Sequence, residues 1–162
     1  MSVDNTVSAI IVGAGNRALT YASYALDHED ELEIVGVAEP NDVRRRRAAE
    51  QFGLSSEQCF RSAQEVAERP KFADAVINGT MDHQHVSTSV PLLEAGYDML
   101  LEKPFATSEE EMWELLEAVE RYDRTVLICH VLRYTLFYSA IRRRILEGEI
   151  GEMISQPGTE EW

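Results

Sequence analysis

The stretch that decides the fold is "TVSAIIVGAGNRA", residues 6–18, an apolar run that leads directly into a glycine-rich turn. Gly13, Gly15 and Ala18 have the G-x-G-x-x-A spacing of a dinucleotide-binding turn. Gly13 permits the tight turn, Gly15 lets the backbone approach a pyrophosphate, and the small Ala18 lets the next helix pack closely on the strand. The amino-terminal amides of that helix then point toward the phosphates.

An acidic residue at the end of the next apolar run supports this interpretation. Glu39 follows the run 32–38, about 20 residues after the turn, where a carboxylate accepts hydrogen bonds from an adenine ribose. A carboxylate there repels a 2′-phosphate, which favours NAD. Arg44 opens an arginine run early in the next helix and could reach such a phosphate, so NADP stays possible. Asn16 and Arg17, inside the turn, are also predicted to bind the cofactor.

Short apolar runs alternate with stretches of helical periodicity along the chain. Runs without polar alternation indicate strands that are buried on both faces, as in a parallel sheet covered by helices. The pattern predicts an α/β fold with a doubly wound, mainly parallel, Rossmann-like sheet and right-handed crossovers. The predicted strands are 6–12, 32–38, 74–79, 97–101 and 125–129, and the predicted helices are 16–28, 41–52, 62–69, 83–95, 108–122 and 134–147.

The end of the chain predicts the stub of a second domain. We expect a dinucleotide-binding domain over residues 1–147, and over 148–162 the start of a substrate or oligomerisation domain with a short strand at 152–155. The helix 134–147 and this strand are expected to expose apolar surface and an unpaired edge. This predicts a homo-oligomer, or a mobile segment from about residue 148.

Composition and charge limit the classes of function. The 162 residues carry a formal net charge of −14, with 29 acidic against 15 basic residues. This charge repels phosphate backbones and anionic membranes, so we expect binding to neither nucleic acid nor membrane. The first 13 residues have neither a basic region nor a long apolar core, so we expect no signal peptide, and no apolar run reaches the about 20 residues that span a bilayer. With Cys59 and Cys129 expected to be free thiols, a cytoplasmic location is predicted.

The segment "LLEKPFATSEEE", residues 100–111, places charged residues directly after an apolar run. Ligands of open α/β sheets lie outside the carboxyl ends of the strands, so Lys103 is predicted to face the nicotinamide end of the site. A partly desolvated lysine is suited to acid–base chemistry there. A lysine paired with Glu102 at the start of a loop is the simpler alternative.

Asp82, His83 and His85 could suggest metal ligands. No further histidine or cysteine pattern completes a site, so no metal is predicted. His85 beside the cofactor is the better interpretation.

Four segments resemble, in order and spacing, the Gfo/Idh/MocA oxidoreductase family. The resemblance covers about residues 6 to 155, and its most specific element is the E-K-P signature at 102–104. It implies an NAD- or NADP-dependent enzyme that oxidises a sugar or cyclitol hydroxyl, or runs the reverse reduction, with Lys103 as the catalytic residue near the hydroxyl and the nicotinamide. The segments are "VGAGNRA" (12–18), "VAEPNDVRRRRAAEQFG" (37–53), "TMDHQHVSTSVPLLEAGYDMLLEKPFATSEEE" (80–111) and "HVLRY" (130–134).

The same resemblance adds Thr80, His85, Glu102 and Arg133 to Lys103 and the glycine turn as cofactor-binding residues. Family members also have a second, mostly antiparallel domain, which carries much of the substrate site and supplies a histidine, and often an aspartate, to the proton relay. Those residues have no counterpart here. The alternative function is therefore a non-catalytic or partner-dependent dinucleotide-binding module. An acidic interaction protein with a vestigial fold is a third hypothesis.

Overall fold

A six-stranded parallel sheet forms the core of the part of the chain up to Cys129. The computed structural model describes residues 6–149 and residue 151. Within them, the neighbouring strands pair in parallel in the order β3-β2-β1-β4-β5-β6. The chain therefore reverses its winding direction next to β1, as a doubly wound sheet does. The strands are β1 (Val7–Val12), β2 (Leu32–Ala38), β3 (Cys59–Phe60), β4 (Ala75–Asn78), β5 (Asp98–Leu101) and β6 (Val126–Ile128).

Helices cover both faces of this sheet. Successive side chains of a strand point to opposite faces, so strands that are apolar throughout need cover on both. Ile10 of β1 belongs to one apolar cluster, which includes Leu92. Ile11 belongs to a second cluster, which includes Ala18 and Ala48. The predicted α/β, doubly wound, Rossmann-like fold is confirmed. The helices are α1 (Asn16–Ala22), α2 (Tyr24–Asp27), α3 (Asp42–Phe52), α4 (Ala63–Ala67), α5 (His85–Glu94), α6 (Glu109–Tyr122) and α7 (Leu136–Leu146).

The predicted elements differ from the observed ones in three places. The strands predicted from apolar runs are correct to within one residue at either end, but β3 was not predicted, because two residues are too short to show a period. The predicted helix 16–28 is two helices that meet at Ser23, whose hydroxyl donates to the Thr20 carbonyl. The predicted helix 83–95 runs through Pro91 and begins at His85, after a 3₁₀ turn.

The chain divides into two units, Met1–Cys129 and His130–Trp162. The first unit contains the sheet and α1 to α6. The described part of the second contains a 3₁₀ turn, Val131–Tyr134, and α7, and no residue of α7 is buried. The predicted strand 152–155 lies outside the described residues, and the predicted boundary at residue 147 stays a prediction.

Both cysteines are free thiols. Among the described residues, no helix is long and apolar enough to cross a membrane.

Candidate functional site

A cavity of about 230 Å³ opens where β1, β4 and β5 end. Parallel strands end at the same edge of a sheet, so the turns that follow these three strands meet there. Most of the residues predicted from the sequence therefore lie around one space. The lining residues are Gly15, Asn16, Arg17, Gly79, Thr80, Asp82, His85, Glu102 and Lys103.

A larger hollow of about 470 Å³ lies elsewhere, between α2, α3 and the start of β2. Its charged lining residues are Glu29 and Glu33, and Leu26 and Phe52 contribute apolar surface. Two carboxylates repel phosphate groups, so this hollow is a poor site for a dinucleotide. The cavity at the strand ends is the better candidate, although it is smaller.

Gly13 is required by the fold itself. Its backbone has φ +79°, the left-handed region that disfavours side chains. A Cβ built on it would lie 2.8 Å from the carbonyl oxygen of Gly79 and 2.8 Å from the nitrogen of Thr80. The Gly13 amide donates to the carbonyl of Ala38 over 2.8 Å. The turn is thus held between β2 and the loop after β4.

Gly15 differs from Gly13, because neither backbone nor packing requires a glycine there. Its φ is −78°, which any residue adopts. Among the described residues, and apart from its two chain neighbours, a built Cβ comes within 4 Å only of the carbonyl oxygen of Gly79, at 3.9 Å. Gly15 also lines the cavity. The space that a side chain would fill is therefore part of the candidate site.

Ala18 brings α1 close to the end of β4. It is fully buried, and a Cβ built on Gly79 would lie 2.8 Å from the Cβ of Ala18. A small residue at each position is therefore needed for the first turn of α1 to reach the cavity.

Glu39 has a structural role that its sequence position did not reveal. The side chain is 4% exposed, and its two carboxylate oxygens accept hydrogen bonds from the amides of Ala14 and Asn41, each over 2.9 Å. A buried carboxylate needs such donors. Glu39 therefore ties the glycine turn to the start of α3. Its predicted contact with a ribose stays a prediction.

The arginine run that follows separates into different environments. Arg44 is exposed in the first turn of α3, and its amide donates to the Asn41 side chain. Arg45 folds back instead, and its guanidinium donates to the main-chain carbonyl of Glu39 and pairs with Asp42. Arg45 is thus held by contacts within this segment, and the predicted approach of Arg44 to a 2′-phosphate stays a prediction.

His85 connects the loops that follow β4 and β5. The side chain is 1% exposed; Nδ1 lies 2.6 Å from the carbonyl oxygen of Pro104 and Nε2 lies 3.2 Å from that of Thr80. Both ring nitrogens are occupied by backbone groups, so His85 is poorly placed to bind a metal. Among the described residues, no group of three or more histidine, cysteine, aspartate or glutamate side chains is placed to hold one.

Glu102 and Lys103 follow β5 at the cavity. Glu102 is 7% exposed; one carboxylate oxygen accepts the Tyr21 hydroxyl over 2.8 Å, and the other accepts the main-chain amide of Lys103. Arg17 Nε lies 3.8 Å from the first oxygen. The Lys103 residue is exposed at the cavity. The carboxylate is thus held by a phenol and a backbone amide, which the simple pairing of Glu102 with the Lys103 side chain did not anticipate.

Sequence reasoning missed Tyr21 and did not predict Arg133's surroundings. Tyr21 follows Arg17 by one helical turn, so both side chains lie on the face of α1 that meets Glu102. The glycine motif carries no signal for a phenol at that position. Arg133 belongs to the second unit, where its amide donates to the His130 carbonyl over 3.0 Å. Its predicted contact with the cofactor stays a prediction.

Comparisons with known proteins agree with this geometry. The model of the Gfo/Idh/MocA family, described as an oxidoreductase family with an NAD-binding Rossmann fold, matches residues 7–130. The scyllo-inositol 2-dehydrogenase (NAD+) of Bacillus subtilis is 29% identical over 159 residues, which cover 96% of this chain and 45% of that protein. The inositol 2-dehydrogenase of Corynebacterium glutamicum strain R is 26% identical over 149 residues, which cover 91% of this chain and 43% of that protein.

Solved structures share the fold. An NAD-binding protein from Listeria innocua has a TM-score of 0.78 at 26% identity, over 91% of this chain and 42% of that one. The apo scyllo-inositol dehydrogenase of Lactobacillus casei has a TM-score of 0.82 at 16% identity, over 93% and 44%, and shows the fold alone. The chain spans less than half the length of these relatives.

Proposed function

Because the chain belongs to the Gfo/Idh/MocA oxidoreductase family, we propose that it binds a nicotinamide dinucleotide in the cavity at the ends of β1, β4 and β5. We propose further that it serves in hydride transfer from a hydroxyl-bearing carbon of a sugar or cyclitol to the nicotinamide, or in the reverse direction from the nicotinamide to the corresponding carbonyl carbon. The observation that carries the proposal is that Gly15, the one glycine of the turn that packing does not require, and Lys103 line the same cavity.

The residues present fit a dinucleotide. A ligand can approach the backbone of Gly15 closely, because the space beside it is open. Gly13 adopts the left-handed backbone conformation that the turn requires. Gly15 is the N-cap of α1, so the amides of the first turn face the same space. Asn16 and Arg17 would hold the phosphates, and Thr80 and Lys103 would border the nicotinamide.

The bound nicotinamide supplies the hydride acceptor or donor. Lys103 would take the proton of the substrate hydroxyl during oxidation and return it during reduction. Glu102 would hold the Lys103 backbone through its amide, so the amine projects from a fixed point. The proposed acceptor of the hydroxyl proton is therefore a side chain of this chain, Lys103.

The substrate class is supported by the names of relatives. Besides the two inositol dehydrogenases, the D-glucoside 3-dehydrogenase of Escherichia coli is 27% identical over 144 residues, which cover 88% of this chain and 40% of that protein. A ring carbon that carries a hydroxyl is common to these substrates. Because the chain spans less than half of such proteins, we propose that much of the substrate site lies in a second domain. Assembly into a homo-oligomer stays a prediction.

Turnover separates this proposal from its alternative, a partner-dependent binding module. The chain is incubated with NAD+ and scyllo-inositol, myo-inositol or methyl glucoside, and NADH absorbance is followed. Turnover supports an enzyme that is complete in this chain. Saturable NADH binding without turnover supports the module, and no NADH binding by the folded chain contradicts both.

NADH is expected to bind about tenfold more tightly than NADPH, a difference of about 1.4 kcal/mol. The Glu39 carboxylate is held at the end of β2 by two amides, and it repels a 2′-phosphate. Titrations that follow nicotinamide fluorescence measure both affinities. Equal or tighter binding of NADPH contradicts the expectation. If Arg44→Ala then weakens NADPH binding but not NADH binding, Arg44 is the residue that binds the 2′-phosphate.

Gly15→Val is expected to weaken NADH binding about 10- to 100-fold while the free energy of unfolding changes by less than about 1 kcal/mol. The added methyl groups fill cavity space that the ligand needs, and such overlaps typically cost about 1–3 kcal/mol. Gly15→Ala is the graded control, with a smaller loss. Unchanged NADH affinity in a folded Gly15→Val variant would remove the glycine turn from the proposed site.

A further inference from the structure

Tyr21 lies between the cofactor turn and the loop that bears Lys103. It is in the second turn of α1, the helix whose N-cap is Gly15. Its hydroxyl donates to Glu102 over 2.8 Å. This contact joins residues far apart in sequence, on α1 and directly after β5. Neither the glycine motif nor the proposed proton transfer assigns Tyr21 a role.

The Glu102 carboxylate continues the connection from Tyr21 to Lys103. Its second oxygen accepts the amide of Lys103, and its own amide donates to the Asn78 carbonyl over 2.9 Å. Because the carboxylate is nearly buried, each of its oxygens depends on a protein donor. Arg17 Nε is 3.8 Å away, but 65% of its side chain is exposed, so solvent weakens that pair. Tyr21 is therefore the stronger side-chain partner.

The Tyr21 hydroxyl and the Cys129 thiol, both near Glu102, remain protonated at neutral pH. Burial raises the pKa of the Tyr21 hydroxyl, and the hydrogen bond to Glu102 raises it further. Burial also raises the pKa of the nearby Cys129 thiol to about 11, and the negative charge of Glu102 adds to this effect. At neutral pH neither group is an anion that would displace the carboxylate from its position.

We propose that Tyr21 is a positioning residue for Lys103. Its hydroxyl fixes one oxygen of Glu102, so that the other oxygen holds the Lys103 amide and the lysine backbone stays at a fixed distance from α1. The helix that receives the dinucleotide and the residue that moves the proton are thereby joined by one chain of hydrogen bonds. The effect on catalysis rests on the proposed function, whereas the chain of hydrogen bonds does not.

The test is hydrogen exchange of the Lys103 amide, measured by NMR in Tyr21→Phe. Loss of the phenol frees the carboxylate to rotate, so we expect the Lys103 amide to exchange about tenfold faster, as expected for loss of a charge-assisted hydrogen bond. Tyr24→Phe is the matched control. The Tyr24 hydroxyl also donates to a carboxylate, that of Glu31, at a distance of 2.9 Å, but neither residue lines the cavity. Lys103 exchange there should stay within about twofold of the unmodified protein. Equal Lys103 exchange in the two variants overturns the proposal.

A double-mutant cycle tests whether Tyr21 acts through Glu102. Glu102→Leu removes both carboxylate acceptors at similar size, and Tyr21→Phe added to it should change Lys103 exchange by less than about twofold. Additive effects of the two changes contradict the proposal. Should Tyr21→Phe fail to fold, Glu102→Leu alone is still measured, and unchanged Lys103 exchange in that variant overturns the proposal.

Cofactor binding and turnover give a second readout. Tyr21→Phe should leave NADH affinity within about threefold, and in turnover it should lower kcat about tenfold with little change in KM for NAD+. Loss of NADH affinity with unchanged kcat would assign Tyr21 to binding and overturn the positioning role. If the unmodified chain binds no NADH, the proposed function fails, and hydrogen exchange still decides the inference about Tyr21.

Discussion

Under the proposed function, turnover of a polyol is expected to fall about 10²- to 10⁴-fold when Lys103 is replaced by methionine. Methionine keeps the length of the side chain but cannot take or return a proton, and a positioned acid or base contributes about this factor. The loss corresponds to about 2.7–5.4 kcal/mol of transition-state stabilisation. NADH affinity should stay within about threefold, because Lys103 is assigned to the proton and not to the phosphates.

The chain offers a matched control for this experiment, because Lys71 is its only other lysine. The Lys71 ammonium lies 5.9 Å from the centre of the Tyr97 ring and does not line the cavity. Lys71→Met should leave kcat unchanged. The same kcat in Lys103→Met as in Lys71→Met would show that Lys103 takes no part in the chemistry.

Gly13→Ala is expected to lower the free energy of unfolding by about 2–5 kcal/mol. The left-handed backbone conformation costs a residue with a Cβ about 1–2 kcal/mol. The new Cβ also lies 2.8 Å from backbone atoms of Gly79 and Thr80, and relieving such an overlap costs about 1–3 kcal/mol more. Denaturant unfolding, followed by fluorescence, measures the change.

Gly53→Ala separates these two causes. Gly53 has a similar φ, +67°, but a built Cβ meets nothing within 4 Å. Its replacement should therefore cost only the conformational part, about 1–2 kcal/mol. If Gly13→Ala lowers the free energy of unfolding no more than Gly53→Ala does, the result contradicts the close packing of the glycine turn against the loop after β4.

The parts of the site that could be predicted are those that depend on chain topology. Gly13, Glu39 and Lys103 each follow an apolar strand, and parallel strands bring their ends to one edge. A local motif and the prediction of parallel strands were therefore enough to expect them at the same edge of the sheet.

The parts that could not be predicted depend on side-chain direction and local hydrogen bonds. Adjacent helix residues point about 100° apart, so Arg45 reaches Glu39 although Arg44 is next to it. The small residue at Ala18 predicted that α1 packs on β1, but not that Tyr21 meets the loop after β5. The two-residue strand β3 has no period to detect.

The two hydrogen bonds that Glu39 accepts restrict how the coenzyme preference of this scaffold can be changed. A redesign that replaces Glu39 to admit a 2′-phosphate also removes the acceptor for the amides of Ala14 and Asn41. Glu39, which we propose to disfavour NADPH, thus also stabilises the glycine turn. A successful redesign has to keep the carboxylate and add positive charge on the exposed start of α3, where Arg44 already stands.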